Sequence, residues 1–306
     1  MAAVTDSPDL LAPGPEIRAP RRRLSLGRAS SLLGTVPFFA YVAIFLVVPT
    51  LVVVIGAFAG DGGFTWANVA ALGDSYVLVA FGRSILLSAV TAVIGAILGA
   101  VLAYALVTAR RGGLLRRIVT AASGVLAQFG GVTLAFAFIA TIGLSGFVTV
   151  FLRDDLGIDP YANGVWLFEL PGLMLVYTYF QIPLMVIVFL PALDGIRPQW
   201  REAAESLGGS TWQYWTRVAG PLLAPAFLGS TLLLFANAFS AYATAAALVS
   251  QGNPIVPLQI RSALTSEVVL GQQNLGKAMA LGMVVVVAVA MTLYALLQRR
   301  TSRWLG

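Results

Sequence analysis

The 306-residue chain contains no cysteine and no histidine. Without cysteine there is no disulfide framework and no thiolate metal site. Without histidine, the commonest metal ligand and the usual near-neutral proton shuttle are both missing. Charge is scarce too: Asp, Glu, Lys and Arg make up 10% of residues, against about a quarter in an ordinary globular domain. Apolar residues are abundant. They form 58% of the chain, and mean hydropathy is +0.88. This balance predicts an all-α, polytopic membrane protein.

A helix needs about 20 apolar residues to cross a hydrocarbon core of roughly 30 Å. Six stretches meet that length: Thr35–Ala59, Ser84–Thr108, Ile118–Leu144, Leu170–Leu193, Pro221–Val249 and Ala278–Leu297. The predicted organisation is a basic, disordered tail over 1–33, a six-helix membrane domain over 34–298 and a short tail over 299–306. A polar loop at 194–220 interrupts the membrane domain. The first apolar run is too long for a signal peptide's core and no small-residue cleavage site closes it, so the tail is expected to stay.

Net charge is +6 and the isoelectric point is near 10, but the charge is spread as an orientation signal rather than a nucleic-acid stripe. All but four of the nineteen Lys and Arg fall on one predicted side, in the two tails and the second and fourth loops. The other side holds only Arg83, Arg153, Arg261 and Lys277. Both termini and the 194–220 loop are therefore expected in the cytoplasm, with the chain in the cell's inner (plasma) membrane.

No Asp, Glu, Lys or Arg lies inside the six predicted spans. Proton-driven and voltage-driven transporters place ionisable groups in the membrane despite the cost. An ion-coupled secondary transporter or channel is thus the weaker alternative, and a polytopic enzyme lacks candidate catalytic groups. No G-x-x-x-x-G-K-[ST] run cradles a nucleotide. If the chain moves a solute uphill, the energy comes from outside it.

The loop "REAAESLGGSTWQYWTRVAGP" (201–221) is the element suited to receive that energy. Pro198 suits a first helical turn. Trp200, Ala203, Ala204 and Leu207 then share one face at helical spacing. Gly208 and Gly209 end the helix, and Ser210 with Gln213 forms a capping box that starts a second. The residues alone fit two readings equally: a helix at headgroup level against lipid, or a docking element for a partner.

The spacing of Glu202-Ala203-Ala204, Gly208, Val218 and Pro221 resembles the EAA signature of type I ABC importer permeases. Val218 stands where the family has Ile, and Gly220 where it has Leu. The resemblance covers most of the chain and implies the six-helix type I permease fold. It further implies that Glu202, Ala203, Ala204, Leu207 and Gly208 couple to two separate ATPase subunits, which carry ATP and Mg. The remaining implied partners are a second permease, expected to be a different chain, an extracytoplasmic solute-binding protein and membrane lipid, with no nucleic acid. This chain is then a transport subunit rather than an enzyme, and binds no cofactor or metal itself.

Polar residues inside the spans are the candidates for the substrate path: Gln181 in the fourth, and Asn237, Ser240 and Tyr242 in the fifth. Each competes with ordinary interhelical hydrogen bonding. Gly95 and Gly99 form a G-x-x-x-G that suits a close helix crossing, either within this chain or with a second permease. Asp154, Asp155 and Asp159 read as a solvated external loop. The stretch "FANAFSAYATAAALV" looks like the permease branch for polyamines, iron and phosphonates, so a polyamine-like cargo is expected.

Overall fold

The computed structural model describes residues 35–302 apart from 61, 109–112, 250–254 and 266–272, with side chains as far as Leu296. The expected tail over 1–33 and the chain end after Ser302 lie outside the described residues. The molecule divides between Thr50 and Leu51 into two compact units. The first holds most of helix α1 (Thr35–Ala57), an apolar segment with a π turn at Ala43–Val47.

The second unit begins with the last residues of α1, followed by two short strands, β1 (Ala59–Gly60) and β2 (Gly63–Phe64), paired antiparallel. Phe58, Phe64 and Trp66 pack on one another beside them, as suits rings at a membrane–water boundary. Helices follow: α2 (Ala67–Ala70), α3 (Ser75–Thr108), α4 (Leu114–Gln128), α5 (Gly131–Ile142), α6 (Phe147–Leu156) and α7 (Leu170–Asp194). The polar loop supplies α8 (Pro198–Ser206). The chain then continues through α9 (Thr211–Ser240), α10 (Ala243–Leu248), α11 (Val256–Thr265) and α12 (Gln273–Ser302). Among the described residues, six helical segments are long and apolar enough to cross a bilayer.

The central contact is α3 along α7, and Gly95 and Gly99 make it possible. A Cβ on Gly95 would lie 2.5 Å from Gln181 Cβ, and one on Gly99 2.5 Å from Met185 Cβ and 2.7 Å from the Ile182 carbonyl oxygen. The G-x-x-x-G motif is thus a crossing inside this chain. With α9, these helices bury Ala92, Ala96, Met185, Phe189, Leu193 and Leu234. A second cluster, Leu87, Leu134, Leu173, Tyr177, Leu248 and Ile255, fills the opposite half.

Two predicted spans are broken where composition suggested continuity. The third ends its first half at Gln128; Phe129 leaves helical geometry, Gly130 is extended and Gly131 is left-handed at φ +73°. The longest apolar window beyond that break runs Gly131–Leu156. However, the start of α4 is tied by Arg116 to Asp194, the last residue of α7. α4 therefore begins at the end of the bundle where α7 finishes, and the third crossing is α4 followed by α5. The fifth span does not run to Val249: Ala241 is extended (φ −70°, ψ 111°) and ends α9. The released Ala241 carbonyl accepts a hydrogen bond from the Tyr177 hydroxyl at 2.7 Å. Buried backbone needs such partners inside a membrane.

Candidate coupling hairpin and translocation cavity

The candidate hairpin is built by local rules. Pro198 opens α8 in its first turn. At the other end Gly208 is left-handed (φ +77°). Its N–H donates to the Glu205 carbonyl at 3.0 Å, and the Gly209 N–H to the Ala204 carbonyl at 2.8 Å. These two bonds form a Schellman C-cap. A Cβ on Gly209 would come within 2.8 Å of the Ala204 carbonyl oxygen, so that position needs glycine for space, whereas at Gly208 the demand is for left-handed geometry. Ser210 then starts the second limb with a reciprocal capping box: its Oγ accepts from the Gln213 N–H, and Gln213 Oε1 accepts from the Ser210 N–H.

The second limb is not a separate helix. A π turn at Trp215–Ala219 carries it directly into the fifth span, and Trp215 packs edge-on against Tyr104 of α3. The hairpin is thereby continuous with α9, with no intervening loop. Glu202, Ala203, Leu207 and Gly208 are exposed and Ala204 half-buried. Leu207 is 88% exposed and Trp212 76% exposed. Arg201 and Glu205 pair one turn apart at 2.9 Å, and that carboxylate raises the arginine's pKa, first by its hydrogen bond and then by its charge.

The two helix breaks face each other across a cavity of about 200 Å³. Ala127, Gly130 and Gly131 line one side, and Asn237, Tyr242 and Thr244 the other. The Gly131 N–H donates to Thr244 Oγ1 at 2.9 Å, stitching the broken ends together. At the rim, Arg261 donates to the Tyr242 hydroxyl and lies over its ring, 5.7 Å from the centroid. Of the candidate path residues, Asn237 and Tyr242 line this cavity. Ser240 is exposed and donates to carbonyls of its own helix. Gln181 is fully buried at the α3–α7–α9 crossing and donates from Nε2 to the Leu234 carbonyl at 2.8 Å; among the described residues its Oε1 has no partner. It is not among the cavity-lining residues.

A second cavity of about 530 Å³ opens where α3, α7 and α9 splay near the hairpin, between Ala100, Tyr104, Phe189, Trp215, Leu223 and Phe227. Its walls are almost wholly apolar, so it offers little to orient a polar solute. Asp154 and Asp155 lie in the last turn of α6 rather than in the expected loop, and only Asp159 lies in the loop beyond; Asp154 pairs with Arg153 and Asp159 accepts from the Tyr161 N–H. The Arg116–Asp194 pair at 2.5 Å had no signal in the sequence, since the partners are far apart in the chain.

Residues 95–303 match the model of the binding-protein-dependent transport system inner membrane component family. The chain belongs to this family. Over 198 residues this permease is 28% identical to the putative ferric transport system permease protein FbpB 1 of Haemophilus influenzae, covering 62% of this chain and 30% of that one. Over 175 residues it is 25% identical to the molybdenum transport system permease protein ModB of Escherichia coli, covering 57% and 70% respectively. The match thus spans less than a third of the ferric relative. The fold is shared with a bacterial ABC transporter that imports the polysaccharide alginate, at TM-score 0.73 and 17% identity over 90% of this chain and 96% of that one. It is also shared with the MetNI methionine transporter, at TM-score 0.55 and 16% identity over 73% and 95%. The family and the six apolar helices among the described residues make this chain a multi-pass inner-membrane component of a transport system. The cargoes in the relatives' names are ferric iron, molybdenum and sulfate; none of these names supports the expected polyamine.

Proposed function

We propose that this chain forms half of the translocation path of an ATP-driven importer, with both termini and the coupling hairpin in the cytosol. An external binding protein delivers a small solute, and a second permease, a different chain, completes the path. Two ATPase subunits carrying ATP and Mg dock on Glu202, Ala203, Ala204, Leu207 and Gly208. One observation carries the reading: the hairpin presents an uncovered apolar face at Leu207 while its second limb runs unbroken into the fifth span. An element that only lay on lipid would not need that rigid continuation.

Asn237 and Tyr242 are the proposed solute contacts, with Ser240 at the exit of α9 and Gln181 holding the wall behind. They supply neutral polar groups at a break in two helices, an arrangement other transporters use at membrane depth. The relatives' names favour a small inorganic ion as cargo over a polyamine. The test is co-purification with the ATPase, followed by ATPase assays with the binding protein and a panel of ferric iron, oxyanions and polyamines. Stimulation by one solute supports the reading. Uptake that survives ATP depletion and collapses with the ion gradient would replace it with a secondary transporter.

A further inference from the structure

The two walls of the broken-helix cavity connect to opposite sides of the same hairpin. One wall, Asn237 and Tyr242, sits at the far end of the helix that begins as the hairpin's second limb. The other, Ala127 to Gly131, sits at the far end of α4. The first turn of α4 carries Arg116, whose Nη2 lies 2.5 Å from Oδ2 of Asp194, just before the hairpin's first limb.

We propose that α4 is a connecting rod, and that the Arg116–Asp194 ion pair is the joint through which hairpin movement reaches the cavity. This rests on the importer reading above. α4 is 15 residues long and so reaches about 22 Å at the α-helical rise. It contains no proline and packs along α7. Its far end is soft, because Phe129, Gly130 and the left-handed Gly131 leave helical geometry. A rod that is stiff along its length and jointed at its end transmits displacement rather than absorbing it. Rocking of the hairpin then moves Asn237 and Tyr242 directly, and Gly130 and Gly131 through Arg116, so the cavity changes shape. Static stability is a poor reason for this pair, because part-exposed ion pairs add little to it; the Arg116 and Asp194 side chains are 20% and 41% exposed. Arg116 and Asp194 are thus positioning residues, remote from the solute.

The absence of cysteine from the chain allows a direct test. Ala127→Cys places one thiol on the cavity wall, in the full complex with its ATPase. Its modification rate by a maleimide is compared between the resting state and the complex trapped with Mg-ATP and vanadate. The expected rates differ several-fold in the otherwise unaltered permease. Arg116→Ala abolishes that difference while ATP hydrolysis persists, and Asp194→Asn, which keeps the side-chain volume, does the same. Arg116→Asp combined with Asp194→Arg restores it. A nucleotide-dependent difference that survives either single substitution overturns the inference, as does a swap that fails to restore it or an unaltered cavity that never responds. Failure of the permease to bind any ATPase would show earlier, at co-purification, and would defeat the importer reading itself.

Discussion

Gly208 offers the sharpest test of the coupling hairpin because its surroundings separate backbone cost from steric cost. It is left-handed at φ +77°, and a Cβ added there meets nothing within 4 Å. Gly208→Ala therefore introduces no clash, only the left-handed penalty of about 1–2 kcal/mol for an L residue. That corresponds to a factor of roughly 5–30 in the ratio of docking-competent to other turn conformations. Apparent affinity for the ATPase should fall by up to that factor, since affinity scales with the competent fraction. Gly208→Asn, which tolerates left-handed geometry, should stay near the unaltered level. Gly208→Pro fixes φ near −65° and removes the N–H that bonds the Glu205 carbonyl at 3.0 Å, so it should abolish ATP-dependent uptake. The assay is uptake into proteoliposomes carrying the ATPase and binding protein, with membrane insertion measured in parallel. Equal uptake by the Pro and unaltered permeases would refute the coupling role. An order Gly, Ala, Asn rather than Gly, Asn, Ala would refute the conformational argument.

Glu202→Lys reverses charge on the exposed docking face; ATP-dependent uptake should be lost while insertion and extraction stay normal, and retained uptake counts against that face. Gly99→Val drives a branched side chain toward the Ile182 carbonyl oxygen, 2.7 Å from the Cβ position, where no side-chain rotation gives relief. Overpacking of this kind costs about 1–3 kcal/mol, so the melting temperature of the detergent-solubilised permease should drop; an unchanged value would discount the α3–α7 crossing. Gln181→Met removes a hydrogen bond of the kind worth about 0.6 kcal/mol between membrane helices, together with an unpartnered buried oxygen that costs about 1–3 kcal/mol. The variant should be as stable as the parent or more so, and a clear loss of thermal stability would mean that Oε1 finds a partner.

Much of this architecture was legible because its signals are local. The hairpin's start, stop and restart follow from Pro198, Gly208–Gly209 and the Ser210–Gln213 spacing, and each appears in its expected role. The spans followed from length and apolarity, and the G-x-x-x-G from the absence of Cβ atoms at one face. The helix breaks were harder for different reasons. Gly130–Gly131 is a weak signal in a chain with 31 glycines, many of them inside helices. Ala241 gives no signal at all, since "SAYATAAAL" reads as good helix. What ends α9 there is tertiary: Tyr177 takes the freed carbonyl, and Thr244 takes the N–H of Gly131 from the other break. The partners sit on other segments, Tyr177 on α7 and Thr244 beyond the second break, so neither break can be read from its own segment. The Gly131–Thr244 bond holds only while the two segments stay in register. A small relative shift would expose backbone polar groups to the cavity, and that is where a solute could take the place of a missing partner. On the proposed importer reading, the helix breaks and the hairpin form one device, in which displacement of the hairpin changes how many backbone groups at the cavity stand open.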